Sequence, residues 1–321
     1  MRSSPCGIAL VSAKRIRLCA TMEARVDRPL AGILWMLVTG VLFIGVIAIV
    51  KYLGGALPAA QTAFLRYALG LVFLLPMIRP IMRARLKRRD VGLFVARGAA
   101  HTVAVFLWFF AMSRIPMAEV TAMSYLSPVF VTIGAALFLG ERLAARRMLA
   151  VFAALLGAMV VLRPGFRDLS SGHLAMLATG ALFGASYLIA KLMSGRVSPA
   201  VVVGMLSVTV TLGLAPMAMA VWVTPSWSEL GWIFLVACFA TAGHYTMTLA
   251  FAAAPITVTQ PVTFLQLVWS VLLGALVFGE PVDGWVVLGG AIIIAAISFI
   301  TWREAMLKRR EITPTTPATK M

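Results

Sequence analysis

The chain is 321 residues long, 61% hydrophobic and only 12% charged, with a mean hydropathy of +0.98. A soluble domain is about 45–50% apolar and about 25% charged, so a soluble enzyme is excluded unless the apolar residues are scattered. They instead fall into blocks of about 20, the length a helix needs to cross a hydrocarbon core of roughly 30 Å. The net charge of +17 does not point to nucleic acid, because the basic residues stand between apolar blocks rather than in a patch on a soluble surface.

Residues 1–28 are basic and are read as a cytoplasmic tail, with Met22 a candidate for the true start. Ten spans are predicted in chain order: 30–50, 59–78, 91–112, 118–139, 148–162, 172–191, 199–221, 230–251, 256–278 and 285–302. Residues 304–321 form a second tail. Arg79, Arg83, Arg85, Lys87, Arg88 and Arg89 follow span two, Arg142, Arg146 and Arg147 follow span four, and Arg303, Lys308, Arg309 and Arg310 follow span ten. The loops of the opposite side hold little more than Lys51, Arg114, Arg163 and Arg167. Short-loop Lys and Arg stay on the cytoplasmic side, so both termini are expected there, in a multi-pass protein of a bacterial inner membrane. Trp222, Trp227, Trp285 and Trp302 fall near span ends, as interfacial tryptophans do.

Cys6, Cys19 and Cys238 form no C-x-x-C pair, so neither a disulfide framework nor a thiolate metal site is expected. No H-E-x-x-H, G-x-S-x-G or phosphate-loop pattern occurs and no Asp lies inside a span. An enzyme, a metal and a cofactor are therefore not expected.

An internal repeat is the most informative feature. At an offset of 140, span one falls on span six: Met36-Leu37 on Met176-Leu177, Thr39-Gly40 on Thr179-Gly180, Leu42-Phe43 on Leu182-Phe183, Lys51 on Lys191. At 139, span four falls on span nine, carrying Pro116 onto Pro255 and Gly140-Glu141 onto Gly279-Glu280. Five spans per repeat is an odd number, so the second copy crosses the membrane upside down. Inverted repeats of this kind are typical of secondary transporters, whose halves rock about a site near the midplane.

Ten spans as five plus five, a proline leading into spans four and nine, and the Gly-Glu ending of both resemble the EamA type of the drug/metabolite transporter superfamily. The resemblance covers about residues 30–303. It implies an all-α integral membrane fold of ten transmembrane helices in two inverted five-helix EamA repeats, 29–164 and 172–303, around a central cavity. It also implies a small-molecule metabolite as partner, besides membrane lipid, and it allows a homodimer, since the fifth and tenth helices of that family are associated with packing or dimer contacts. Arg28-Pro29-Leu30-Ala31-Gly32 and the stretch Leu57-Pro58-Ala59-Ala60-Gln61 with Phe64-Leu65-Arg66-Tyr67 are similar to riboflavin-transporter-type members. Thr224-Pro225-Ser226 with Glu229-Leu230 is similar to S-adenosylmethionine uptake members.

Ionisable groups inside spans cost about 2.5–3.5 kcal/mol on insertion scales and need a reason to be there. Arg66 in span two is a candidate for an anionic or carbonyl-bearing substrate group, or for a pair with Glu119. Arg97 and His101 share one face of span three, a helical turn apart. His244 adjoins Tyr245 and Thr246 on span eight. Glu119, just after Pro116, is the acidic residue best placed for proton coupling, or it caps the helix at its positive end. His173 is expected at the interface. Trp108, Tyr125, Tyr187, Tyr245 and Trp269 offer ring surface for a planar ligand, and Ser124, Gln260 and Gln266 offer hydrogen bonds; packing is the competing role for each. Two buried arginines against one carboxylate disfavour a lipophilic cation and favour a neutral or anionic flat metabolite. Riboflavin uptake is the first expectation. S-adenosylmethionine uptake and export of amino acids or related metabolites stand behind it, and a non-transporting scaffold or lipid-modifying enzyme is the competing class.

Overall fold

The computed structural model describes residues 28–84, 86–139, 145–166, 168–193, 197, 199–254 and 259–312. Ten segments traverse the molecule. They are α1 (Pro29–Leu53), α2 (Ala59–Gly70), α3 (Arg88–Met112), α4 (Met117–Ser124 and Ser127–Leu139), α5 (Ala145–Leu162), α6 (Ser171–Met193), α7 (Pro199–Met219), α8 (Trp227–Ala253), α9 (Phe264–Phe278) and α10 (Gly284–Ile312). Among the described residues nine spans are long and apolar enough to cross a membrane, and Leu265–Phe278 is a shorter apolar helix. The protein is a ten-helix, all-α, multi-pass membrane protein. Large apolar side chains such as Leu34, Leu149, Phe152 and Leu276 remain exposed on its outside, where lipid rather than water is the solvent.

Local chemistry sets the breaks. Pro76 lies in a 3₁₀ stretch, Leu71–Met77, that tightens the end of α2. Pro128 cannot donate to the carbonyl four residues back, and α4 divides there. Its halves are joined by shorter bonds, Tyr125 N to Ala122 O (3.3 Å) and Leu126 N to Met123 O (3.0 Å). On α9 a 3₁₀ turn, Gln260–Thr263, precedes the helix. Residues 255–258, the predicted start of span nine, lie outside the described residues. Broken helices at corresponding places of two repeats are where transporters build their sites.

The most extensive packing pairs α1 with α8, α3 with α6, and α5 with α10. Adding five to each label, or subtracting it, turns α1–α8 into α6–α3 and leaves α5–α10 unchanged, so the contacts obey the sequence repeat. Glycines make this close approach feasible, as small residues do between membrane helices. A Cβ on Gly32 would collide with Ala254, and one on Gly172 would lie 2.7 Å from Ile115. At offsets of 140 and 139 these are the same contact twice. Gly157 and Gly289 face each other reciprocally, a Cβ on either meeting the other's carbonyl at 2.8 and 2.5 Å.

Loops 54–58, 113–116, 163–170, 220–226 and 279–283 share one end of the bundle, here face A. The start of α1 and the end of α10 belong to the other end, face B.

Candidate functional site

Face A is tied shut between the halves. Lys51, at the end of α1, pairs with Glu280 before α10 and donates to Ile115 O at 3.0 Å. Glu280 Oε2 also accepts from Met117 N (2.9 Å), at the start of α4, where a helix N-terminus favours a carboxylate. Arg163 pairs with Asp283. Gln61 forms a two-way amide bond with the backbone of Val223, 2.5 Å to its carbonyl and 2.9 Å from its N–H. Glu119 meets His173, Oε2 to Nε2, at 2.5 Å. Each of these four ties joins a residue of the first repeat to one of the second. The expected Arg66–Glu119 alternative gives way to His173, which is buried rather than interfacial.

The second polar region lies in the interior. The Arg97 side chain, 6% exposed, donates from Nη1 to Val202 O on α7 at 3.1 Å, and its Nε has no hydrogen-bond partner among the described residues. One turn on, His101 Nδ1 lies 3.0 Å from Ser186 Oγ on α6. The His101 ring is 4.8 Å from Phe183 and 6.5 Å from Tyr187, and those two rings stack at 6.0 Å. Trp108 meets Phe183 edge-on at 6.5 Å. Arg66 lays its guanidinium 4.0 Å from the centre of the Tyr67 ring, a favourable cation–ring geometry. Arg66, Arg97 and His244 are all within electrostatic reach of His101. His244 meets Phe43 edge-on at 5.1 Å. Tyr187 stacks on Phe183 and is itself 45% exposed.

Arg66, Arg97, His101, Trp108, Tyr187 and His244 are thus brought together, and the other candidates are placed apart. Glu119 belongs to face A. Ser124 Oγ donates to Val120 O in its own helix at 2.7 Å. Tyr125 Oη donates to Thr263 O at 2.8 Å, joining the breaks of α4 and α9. Gln266 packs beside Gly40 of α1. Trp269 lies with Leu265, Leu272 and Leu276 on an exposed stripe of α9. Tyr245 is exposed, about 100° round α8 from His244. The side chain of Gln260 and all of Glu141 lie outside the described residues. Phe43, Tyr67, Phe183 and Ser186 were not read as site residues. The i,i+4 spacing of Phe183 and Tyr187, and the repeat match of Phe43 with Phe183, were the available signals.

Two broken helices, an interior polar cluster and a face sealed by bonds between inverted halves define a transporter. The chain belongs to the EamA-like transporter family, which matches residues 30–163 and again residues 170–302. It is similar to a riboflavin transporter of Vibrio cholerae, 31% identical over 88% of this chain and 97% of that protein. It is equally similar to a riboflavin transporter of Rhizobium johnstonii, 30% identical over 88% and 95%. A Rickettsia prowazekii S-adenosylmethionine uptake transporter is 27% identical over 79% and 86%.

Proposed function

We propose that this protein takes up riboflavin across a bacterial inner membrane by alternating access, with face B in the cytoplasm. The observation that carries the proposal is the interior cluster, where the buried Arg97 keeps a free Nε–H beside the Phe183–Tyr187 ring stack. A flat, uncharged ring system bearing carbonyl and ring-nitrogen acceptors suits that combination, by stacking and by hydrogen bonds from a charged donor. Two arginines in reach of the same histidine oppose a sulfonium, which bears on S-adenosylmethionine. The two riboflavin transporters among the relatives support the choice.

Labelled riboflavin uptake by an auxotrophic bacterium expressing the chain tests the proposal, with S-adenosylmethionine in parallel. Saturable riboflavin uptake, competed by flavin analogues and lost in Arg97→Ala and Tyr187→Ala, is expected. Absence of riboflavin uptake by membrane-inserted wild type overturns the substrate, and uptake unchanged in both variants overturns the site.

A further inference from the structure

The connection from α2 to α3 lies on face B, and its side chains are sorted by direction. No charged residue stands between Arg66 and Arg79. The apolar span Ala59–Pro76 ends just before a short helix, Ile78–Arg83, so that helix begins where hydrocarbon gives way to headgroups. Successive helical residues turn by about 100°. Ile78 and Met82 therefore share one direction. Arg79 and Arg83 share another, about 100° further round, and Ile81 points opposite the two arginines.

The burial follows this wheel. Ile81 packs onto α7, where a Cβ on Gly204 would collide with its Cδ1. With Ala84 and Leu86 it covers a small core of Phe94, Met193 and Val201, which fixes the connection to α3, α6 and α7. Ile78 and Met82 are left 43% and 80% exposed. Arg79 and Arg83 are exposed, as are Arg88 and Arg89 in the first turn of α3.

These four arginines pair with no carboxylate among the described residues. Asp90, the acid beside them in the chain, gives its Oδ2 to the Lys87 N–H. Arg88 and Arg89 also stand at the positive end of the α3 dipole, where a cation is disfavoured. The fold does not require this charge. The equivalent connection from α7 to α8, residues 220–226, has no basic residue and carries the exposed Trp222, followed by the exposed Trp227. The bias of basic residues toward one membrane face accounts for cations in the connection. It does not account for arginines that share one helical direction beside an exposed apolar pair.

A phospholipid answers both directions at once. Its acyl chains take Ile78 and Met82, as they take the apolar side of an interfacial helix. Its phosphate accepts charge-assisted, bidentate bonds from guanidinium groups. A zwitterionic headgroup brings its own ammonium to the cluster, and a net anionic one does not. We infer that the surface formed by Ile78, Arg79, Met82 and Arg83 is a binding site for an anionic phospholipid, with Arg88 and Arg89 adding to its field.

The test uses the full-length protein in phosphatidylcholine nanodiscs and no transport substrate. A fluorophore is attached at Met82→Cys in a cysteine-free background. Spin-labelled phosphatidylglycerol or spin-labelled phosphatidylcholine is then added at equal mole fraction as quencher. Quenching by phosphatidylglycerol is expected to be about two- to fivefold the stronger. At Leu276→Cys, an exposed position near the face A end of α9, the two lipids should quench alike. The preference at Met82→Cys should collapse in Arg79→Gln/Arg83→Gln and persist in Arg146→Glu, which changes the net charge equally from another exposed position on face B. It should also fall in the unmutated site when salt is raised to about 1 M, where the screening length is about 3 Å. Equal quenching by the two lipids at Met82→Cys, or a preference indifferent to salt, overturns the site. An equal loss in Arg146→Glu overturns it as well, since the attraction would then belong to the whole face.

Discussion

The apolar seam between the halves and the polar groups beside it follow different rules. Along the seam the repeat is kept in pairs. Gly32 meets Ala254 as Gly172 meets Ile115. Thr39 Oγ1 bonds to Thr246 on α8 at 2.8 Å, and its equivalent Thr179 reaches Ala104 O on α3 at 3.4 Å. Even the rings of Phe43 and Phe183 each face a histidine of the other half. The polar groups of the interior cluster are not kept in pairs. Arg97 falls on Val236, His101 on Ala240 and Tyr187 on Ile47, all three buried apolar residues. Backbone approach imposes the same requirement on both copies because the same helices cross twice. A bound solute has no two-fold symmetry, so its contacts are free to differ, and the asymmetric positions are where chemistry is to be sought.

Breaking the asymmetric side should have the largest effect. Arg97→Ala removes a buried charged donor. Hydrogen bonds to charged groups contribute about 1.5–3 kcal/mol, so uptake at sub-saturating riboflavin should fall about ten- to hundredfold. Detergent-solubilised protein should still elute as a single folded species, because the α3–α6 seam rests on apolar and glycine contacts. Loss of both uptake and folded protein would make Arg97 a structural residue.

Breaking the symmetric side should reverse that pattern. In Gly289→Ala the new Cβ would lie 2.5 Å from Gly157 O. Overpacking of a tight contact costs about 1–3 kcal/mol, and the melting temperature should drop while the residual folded protein keeps its substrate affinity. Gly231 of α8 has open space around it, so Gly231→Ala should be neutral or stabilising by up to about 1 kcal/mol. Equal melting temperatures for the two variants would remove α5–α10 as a close-packed seam.

The sequence carried the seam more legibly than the site, for a physical reason. Span count, inversion and repeat register follow from hydropathy and from matched small residues, which are local signals. The Arg97–His101 face was visible as one helical turn. Which other helix supplies Phe183, Ser186 and Tyr187 was not, because it depends on how α6 rotates against α3. The division of α4 at Pro128 was missed since the stretch 118–139 is long and apolar enough overall to read as one span. His173 read as interfacial because its partner, Glu119, is distant in sequence and on another helix.

A smaller effect is expected from the ties of face A. Lys51→Met leaves Glu280 its bond from Met117 N but removes the cation. The pair is partly exposed, 19% and 11%, so solvent screening reduces its worth to about 1–2 kcal/mol. The expected signature is faster maleimide labelling at Ala118→Cys with little change in affinity for riboflavin. Labelling unchanged from wild type would show that the other three ties suffice to hold the face closed.

The smallest effect concerns the starts of the repeat-equivalent helices α3 and α8, and it sharpens the comparison at one position. Asp90 and Glu229 are equivalent at the offset of 139, and each takes the N–H of its helix cap. Lys87 N reaches Asp90 Oδ2 at 3.1 Å, and Ser226 N reaches Glu229 Oε2 at 2.7 Å. On α8 the cap residue returns the bond, Glu229 N donating to Ser226 Oγ at 3.2 Å, which completes a capping box. On α3 the cap residue is Lys87, whose ammonium has only donors to offer, so the box is half-built. Ser226→Ala should cost about 1 kcal/mol, within the range of cap deletions. Lys87→Ser supplies the missing acceptor and should raise stability by up to about the same amount. Both changes lie at helix starts away from the interior cluster, so riboflavin uptake should be unaltered. A fall in stability on Lys87→Ser would mean that the lysine has a role at its own face, and that this end of the repeat is asymmetric for a reason other than the loss of a cap.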